Sequence, residues 1–250
     1  VETVVGPMTA PNANRLFAAV EATWPAARIL PCGPMMLRDG QGGGKRVSAA
    51  TAEGAVDPGA VEKAEAEMTA LGQTPLFMLR PQDGALDALL ADRDYQFVDP
   101  VVVMTAPIDR LTDQNIPPVT TFCIWEPLAI MAEIWAEGGI GPARLNVMRR
   151  TATKTAVFAR WNNKPAGVGF VAVDGDIAMV HAVEVLAAQR RQGVAGWIMR
   201  QAALWAHDQG ATTMGVLCTK ANTGALALYA RLGFEARTEY HYRQKALPET

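Results

Sequence analysis

The clearest alternation of hydrophobic and polar positions lies in the second half of the chain. Three apolar runs there are separated by Asn162-Asn163-Lys164 and Asp174-Gly175, whose residue types tolerate positive φ and favour tight turns. Apolar runs with turn residues between them predict a meander. The three predicted strands are Thr155–Trp161, Pro165–Val173 and Ile177–Val185.

Two helical patterns and an apolar strand follow the meander. Apolar residues at helical spacing predict a helix over Val194–Gln209, which Gly210 can end. Asn222 can cap a second helix that stops before Gly233, and an apolar strand at Thr212–Cys218 lies between the two helices. The remaining predicted elements of this half are strands at Thr121–Trp125, Phe234–Thr238 and Tyr240–Lys245 and helices at Leu128–Glu137 and Pro142–Arg150.

The first half of the chain reads as a separate region. Residues 108–120 are polar, and Pro117-Pro118 cannot continue a helix or a central strand, so we predict a linker there. This linker divides the chain into domains at residues 1–107 and 121–250. The predicted helices of the first domain are Asn14–Ala22, Pro58–Leu71 and Gly84–Ala91, and its predicted strands are Met35–Arg38, Arg46–Ala50, Leu76–Leu79 and Phe97–Met104.

Composition and charge exclude several classes of protein. The 250 residues carry a formal net charge of −2, whereas nucleic-acid-binding proteins are usually basic, so we expect no nucleic-acid partner. No apolar run approaches the ~20 residues that span a bilayer, and Val1–Thr9 lacks the basic start and apolar stretch of a signal peptide. We therefore expect a cytoplasmic protein with no membrane partner.

The cysteines and histidines are few and far apart, without the short spacings that zinc sites and disulfide frameworks require. We expect no metal site and three reduced thiols. The residues are Cys32, Cys123, Cys218, His181, His207 and His241.

Two glycine-rich segments superficially match nucleotide-binding motifs. Gly40–Lys45 is one residue short of a phosphate-binding loop, and Arg46 stands where that motif needs a hydroxyl group, so we interpret the segment as a hairpin loop. Gly167–Ala172 has the spacing of a dinucleotide fingerprint but lies inside a strand that turns at Asp174-Gly175 into another strand. Neither segment predicts a nucleotide site.

A more specific signal lies at Arg190–Ala195, which reads RRQGVA. It joins the end of an apolar strand to the start of a predicted helix, where unpaired backbone N–H groups and the helix dipole favour an anion. Gly193 and the small Ala195 leave room for close approach, and the arginines can add charge-assisted hydrogen bonds. We therefore predict that this segment binds a diphosphate.

This segment resembles the acetyl-CoA loop of the GNAT superfamily of N-acetyltransferases, whose pattern is Gln or Arg, two residues, Gly, one residue, then Gly or Ala. Asn222 is followed seven residues later by Tyr229, in NTGALALYARLGF. That segment is similar to the second landmark of the family, an asparagine and a tyrosine on roughly one face of a helix. Both landmarks stand in the order of the family, and the resemblance covers residues 120–245.

The resemblance implies an α/β (α+β) fold with a GNAT-like mixed, mostly antiparallel sheet flanked by helices and a smaller α/β N-terminal domain. Residues 14–105 show helix, hairpin, helix, strand, helix and strand without either landmark. They look like the degenerate N-terminal module of a tandem GNAT protein, although an unrelated α/β cap domain is the alternative.

The resemblance also implies acetyl-CoA as the cosubstrate. Backbone groups of Val183 and Val185 and the side chain of Asn222 would bind the pantetheine arm, and the N–H groups of residues 192–196 would hold the diphosphate. The residues implied for acetyl-CoA binding are Val183, Val185, Arg190, Arg191, Gln192, Gly193, Val194, Ala195, Gly196, Asn222 and Tyr229.

The implied reaction is the direct attack of a primary amine on the thioester through a tetrahedral intermediate. A free alkylamine has a pKa near ~10.4 and is mostly protonated at neutral pH, so a base is needed. Some relatives use a glutamate where this chain has Leu217. Glu184 is our first candidate, because a carboxylate in an apolar strand needs a reason, and His181 is the second. The two face opposite sides of a regular strand unless a bulge intervenes, and a structural role is open for each.

Tyr229 matches the residue of the family that assists the departing thiolate. Full proton transfer from a tyrosine near ~10 to a thiolate near ~8.5 is uphill by roughly 2 kcal/mol. We therefore expect Tyr229 to donate a hydrogen bond to sulfur or to relay the proton of the amine, with a packed helix tyrosine as the alternative. An acyl-enzyme at Cys218 is a minor alternative, because no histidine is nearby in the sequence to activate it.

The implied acceptor is an amine on a small molecule or a protein, and the loop Glu137–Gly141 should border its site. Glu133, Glu137 and Trp135 would suit a cationic amine, but a solvated helix face explains the acids equally well. A non-catalytic acetyl-CoA-binding regulator and an interaction module without a cosubstrate are the alternative functions. The oligomeric state is left open, with a homodimer among the options.

Overall fold

A computed structural model of the chain describes residues 10–245, so the expectation about a signal peptide at Val1–Thr9 lies outside the described residues. The helices are α1 (Ala13–Thr23), α2 (Pro58–Ala70), α3 (Gly84–Ala91), α4 (Ala129–Glu137), α5 (Pro142–Arg150), α6 (Val194–Asp208) and α7 (Thr223–Arg231). The strands are β1 (Arg28–Cys32), β2 (Met35–Asp39), β3 (Thr51–Ala52), β4 (Leu76–Leu79), β5 (Tyr95–Pro107), β6 (Thr121–Ile124), β7 (Thr153–Trp161), β8 (Lys164–Asp174), β9 (Ile177–Val185), β10 (Thr213–Thr219) and β11 (Glu235–Lys245).

Most of the strands form one eight-stranded sheet in the order β4-β11-β5-β10-β9-β8-β7-β6. Neighbouring strands are antiparallel except β9 and β10, which run parallel. The predicted meander is confirmed as β7, β8 and β9. The expected fold class, a mixed and mostly antiparallel sheet flanked by helices, is confirmed as well.

Strand β5 belongs to the first half of the sequence but lies between β10 and β11 of the second half. The fully buried Val103 is opposite Leu217 on one side and Thr238 on the other. The predicted domains 1–107 and 121–250 therefore share a sheet, besides being joined by residues 108–120. The division of the chain into two domains stays a prediction.

Three details of the predicted strands are wrong. Arg46–Ala50 is not a strand, because the carbonyl group of Lys45 accepts hydrogen bonds from the amides of Ser48 and Ala49 and closes a 3-10 turn. Strand β1 has no predicted counterpart, because it is an exposed edge strand that contains Pro31 and lacks an apolar alternation. The two strands expected near the end of the chain are one strand, β11, with register shifts against β5.

The alternating side chains of the meander separate two apolar layers. Val157 and Val171 pack on one face with residues of α6 and α7. Phe158 and Phe170 pack on the other face with α4, α5 and Trp24 at the end of α1. Side chains of β9 therefore lie either on the face covered by α6 or on the face covered by α1 and α4. Within residues 10–245, no helix is long and apolar enough to cross a bilayer.

The first half also contains a small sheet of β1, β2 and β3, whose core is shared with α2 and α3. This sheet meets the edge of the large sheet at a single parallel bridge between Ala50 and Phe77. The loop before β3 carries Arg46, whose side chain contacts His181 of β9 in the site described next.

Candidate active site

The site lies where the parallel strands β9 and β10 separate. Their pairing runs from Ile177 opposite Thr213 to Val180 opposite Val216 and then stops. Beyond that point the strand ends and α7 line a cavity of about 700 Å³. The backbone groups of the diverging strand ends are therefore open to an extended ligand inserted between them.

A bulge in β9 orients the side chains at this opening. Ala182 has a φ of 53°, and the register against β8 shifts between His181 and Glu184. The indole N–H of the fully buried Trp135 donates a hydrogen bond to the carbonyl of Ala182 at 2.8 Å and fixes the bulge. The extra residue brings His181 and Glu184 to the same face of the sheet, and both line the cavity.

The predicted phosphate loop lies beside this cavity. Gly193 has a φ of 82°, which favours glycine, and it precedes the first turn of α6. No described residue accepts a hydrogen bond from the amides of residues 191–196. Residues 191–193 are exposed, and a Cβ on Gly196 would meet no atom within 4 Å. These open amides at a helix N-terminus are suited to bind a diphosphate.

The two arginines of this loop have different surroundings. The guanidinium Nε of Arg190 donates to the carbonyl of Val185 at 3.0 Å, so one of the backbone groups expected to bind pantetheine already has a partner. Arg191 is exposed and makes no hydrogen bond or ion pair within residues 10–245. Val183 and Ala195 line the cavity, whereas Gln192 lies outside it.

The second landmark lies on the opposite wall of the cavity. Asn222 caps α7, because its side-chain oxygen accepts from the amide of Ala225 at 3.1 Å. Tyr229 is 8% exposed, packs against Phe234 and makes no side-chain hydrogen bond within the described part of the chain. Burial, together with the neighbouring Cys218, raises the pKa of the Tyr229 hydroxyl above its ordinary value. Tyr229 is therefore a protonated donor that lines the cavity.

Cys218 lines the same wall but has no activating base. Its sulfur lies 3.5 Å from the carbonyl oxygen of Thr219 and 3.8 Å from that of Asn222. Burial raises the pKa of the Cys218 thiol, which disfavours the thiolate needed for an acyl-enzyme.

Both ring nitrogens of His181 are occupied. The hydroxyl of Thr23 donates to the carbonyl of Ala19 at 2.7 Å, so it accepts from Nε2–H of His181 at 3.0 Å. The other nitrogen, Nδ1, then accepts from Nη1 of Arg46 at 3.0 Å. Burial and the charge of Arg46 lower the pKa of His181 well below its ordinary value. The ring is a neutral structural link between α1 and the loop before β3.

Glu184 keeps its carboxylate free. It makes no hydrogen bond or ion pair with a described residue, and its side chain lies against Gly138. Burial raises the pKa of the Glu184 carboxyl above its usual value, and the charges of Arg190 and Arg144 oppose that rise. Glu184 is therefore a half-buried, unpaired carboxylate on the wall of the cavity.

Comparisons with known proteins agree with this geometry. Residues 125–234 match the family model described as Acetyltransferase (GNAT) family. A structure of a GCN5-related N-acetyltransferase from Kribbella flavida superposes with a TM-score of 0.71 at 20% identity, over 96% of this chain and 98% of that one. This chain has the GNAT fold.

Two further matches cover both halves of this chain. The uncharacterized N-acetyltransferase YobR of Bacillus subtilis is 25% identical over 90% of this chain and 95% of its own. A tandem GNAT protein from the clavulanic acid biosynthesis pathway superposes with a TM-score of 0.56 at 17% identity, over 80% of this chain and 76% of that one. The matched family model and these relatives together support the GNAT acetyltransferase family.

The residues suggested for a cationic acceptor do not lie together in the cavity. Trp135 is buried and holds the bulge, while Glu133 and Glu137 are exposed and line none of the described cavities. The loop after α4 does border the site, because Gly138 contacts Glu184 and Ile140 lines an adjoining cavity. The alternative of a solvated helix face therefore accounts for the two acids.

The contribution of the first half of the chain to this candidate site was not predicted from the sequence. Thr23 is the last residue of α1, and Trp24 comes directly after it. Arg46 comes from the glycine-rich loop that we interpreted only as a hairpin. Two basic residues, Lys45 and Arg46, directly after three consecutive glycines were the available signal, since a loop of that kind can present a cation to a cleft. Within residues 10–245, no cluster of three or more potential metal ligands is present.

Proposed function

We propose that the chain is an acetyl-CoA-dependent N-acetyltransferase that moves an acetyl group directly to a primary amine. The open amides ahead of α6 carry this proposal. They have no hydrogen-bond partner among the described residues and lie beside a cavity between two separating strands, which Ala195 lines; a diphosphate followed by an extended thioester arm would fit this arrangement.

The residues of the loop fit acetyl-CoA. The amides from Gln192 to Gly196 would hold the diphosphate, and the free guanidinium of Arg191 would add charge-assisted hydrogen bonds. Val183 would bond the pantetheine arm through its backbone, since beyond Val180 β9 has no strand partner on the side of β10. The side chain of Arg190 already donates a hydrogen bond to the carbonyl of Val185. We therefore propose that Arg190 positions the end of β9.

We assign the base to Glu184 and not to His181. A base needs a free lone pair in the cleft, and both nitrogens of His181 already have protein partners. The carboxylate of Glu184 has none, and its raised pKa brings it closer to the pKa of an amine that must lose a proton. The face occupied by Glu184 is the one covered by α1 and α4, so the acceptor amine would approach from that side.

We assign Tyr229 to the leaving group. Its hydroxyl stays protonated because burial raises its pKa, so it can donate a hydrogen bond to the sulfur that departs. A hydrogen bond that forms to a developing charge contributes more than one between neutral groups. Tyr229 would therefore act mainly on the rate and only weakly on the affinity for acetyl-CoA.

We propose that the first half is a degenerate module that no longer binds the cosubstrate. The order β3-α2-β4, with a parallel contact between Ala50 and Phe77, repeats the order β9-α6-β10 of the second half. The start of α2 is capped by the carboxylate of Asp57, which accepts from the amide of Ala60 at 2.8 Å and would repel a phosphate. The Arg80 side chain, which follows β4, donates to the carbonyl of Ala52 at the end of β3 and so occupies a backbone acceptor there.

Thiol release from acetyl-CoA in the presence of a panel of primary amines tests this function. We expect turnover with some of the amines and calorimetric binding of one acetyl-CoA per chain. Binding without turnover on any amine would make the protein a regulator, and no binding at millimolar acetyl-CoA would overturn both. Two equivalents bound per chain would overturn the assignment of the first half.

A further inference from the structure

A second cavity continues from the first on the face covered by α1 and α4. It has a volume of about 390 Å³ and shares four lining residues with the larger cavity. These shared residues are Arg46, His181, Ala182 and Thr219. Since the larger cavity would hold the thioester, the smaller one leads away from it toward the region where an acceptor would lie.

Cations dominate the walls of this second cavity. Lys45, Arg46 and Arg144 line it, and Asp99 is the acidic residue among its lining side chains. Lys45 and Asp99 neutralise each other through an ion pair of 2.6 Å. The guanidinium groups of Arg46 and Arg144 are left without a carboxylate within 4 Å among the described residues.

Arg46 is positioned to bind an anion. Its Nη1 contacts His181, its guanidinium lies 5.7 Å from the ring centre of Trp24, and its buried Nε has no hydrogen-bond partner within residues 10–245. A buried unsatisfied donor is unfavourable, so its retention in the cleft favours a ligand that supplies the missing acceptor. The planar fork of a guanidinium matches the two oxygens of a carboxylate.

Arg144 approaches the same space from α5. Its guanidinium lies over Gly44, where a Cβ would come within 3.3 Å of Nε, and Nη1 donates to the carbonyl of Gly139 at 3.3 Å. Its other donors have no partner among residues 10–245, and the residue lines the second cavity. Arg144 and Arg46 thus present two cationic forks from opposite halves of the chain.

We propose that the acceptor is an amine that also carries a carboxylate, as in an amino acid, and that Arg46 and Arg144 bind that carboxylate. This inference rests on the proposed acetyltransferase function. The amine of such a molecule would be turned toward Glu184, and the carboxylate would lie in the second cavity. The amine of the acceptor would thereby lie beside the carboxylate of Glu184. Its carboxylate would lie beside the guanidinium groups of Arg46 and Arg144.

Matched acceptors test this inference. We expect amino acids to be acetylated with a kcat/KM at least tenfold higher than that of the corresponding amino acid amides, which keep the amine and lose the charge. Arg144→Gln should reduce the ratio of kcat/KM for amino acids to kcat/KM for their amides at least tenfold. Arg149→Gln, on the exposed side of the same helix, is the matched control and should leave the ratio unchanged.

The outcomes separate the two proposals. Turnover on amides equal to or better than on amino acids would overturn the carboxylate inference while the acetyltransferase function stands. Turnover on no amine would overturn both. Arg46→Lys offers a second variant that keeps the charge but loses the fork, and an unchanged ratio in both Arg46→Lys and Arg144→Gln would remove these residues from the acceptor site.

Discussion

The carboxyl group of Glu184 rests directly against the backbone of Gly138. A Cβ placed on Gly138 would lie 2.4 Å from Cδ of Glu184, which is closer than any real contact. The backbone angles of Gly138, φ −81° and ψ 7°, do not require glycine, so the effect of a larger residue there would be to push the Glu184 side chain out of its present place.

Gly138→Ala should displace Glu184 from its place in the cavity. A misplacement of about 1 Å can cost about a hundredfold in rate, so we expect kcat to fall about 10- to 100-fold with little change in the KM for acetyl-CoA. Steady-state thiol release measures both constants. Gly141→Ala is the matched control, because a Cβ there meets no atom within 4 Å. Equal kinetics for the two variants would mean that Glu184 is not positioned by this contact.

Glu184→Gln should remove the proposed base. General-base catalysis typically contributes about 10²- to 10⁴-fold, so we expect a loss in that range. In the unchanged enzyme, the acid limb of the kcat/KM profile should lie above the usual glutamate range, because the pKa of Glu184 is raised and the carboxylate must be ionised to act. Glu133→Gln, on the exposed side of α4, should retain the profile. An acid limb that survives in Glu184→Gln would exclude Glu184 as the base.

Glu184→Gln should lower activity but raise the stability of the folded protein at neutral pH. A carboxyl with a raised pKa in the folded state binds its proton more tightly than in the unfolded state. Stability is then greatest below the unfolded value and falls as the pH rises to the folded value. At about pH 7, Glu184→Gln should therefore unfold at a higher temperature than the unchanged protein, and the difference should shrink near pH 4. Thermal unfolding at both pH values checks this sign.

Tyr229→Phe should act on turnover. The hydroxyl group has no side-chain partner in residues 10–245, so its loss leaves no orphaned protein group behind. A hydrogen bond to a charged group contributes about 1.5–3 kcal/mol, which corresponds to roughly 10- to 150-fold in kcat. Tyr95→Phe, whose hydroxyl donates to Glu65 far from the cleft, is the control. A rise in the KM for acetyl-CoA at constant kcat would instead make Tyr229 a binding residue.

Gly193→Asp should weaken acetyl-CoA binding by placing a negative charge among the open amides. Gly193→Asn is the matched control, because asparagine has the same shape and tolerates the left-handed φ of 82° about equally well. We expect the dissociation constant to rise at least tenfold more for the aspartate variant than for the asparagine variant. Calorimetry measures both, and similar values would refute a phosphate at this position.

The sequence predicted the elements whose patterns are local. The meander, α6 with its preceding Gly193, and the cap of Asn222 on α7 all follow from turn chemistry, helical spacing and capping preferences that act over a few residues. The phosphate loop could be located for the same reason, since it needs only a strand end, small residues and a helix start.

The parts that the sequence did not reveal depend on contacts between distant segments. The bulge at Ala182 has no sequence marker, and it is held by Trp135 from a helix that precedes the meander. The occupation of both nitrogens of His181 requires Thr23 and Arg46, which are more than a hundred positions away in the chain. No local pattern could assign His181 a structural role or place Arg46 in the cleft.

The insertion of β5 between β10 and β11 has a consequence for how the chain is made. Synthesis runs from the N-terminus, so β5 is made before both of its partners: one edge can pair when β10 has emerged, and the other only when β11 has left the ribosome. Until then β5 has an unpaired edge that can template aggregation, and a product shortened before Glu235 leaves that edge bare. In an excised fragment of residues 121–245, β11 would lose both of its strand partners and β10 would become the edge of the sheet, beside the cavity wall that bears Tyr229.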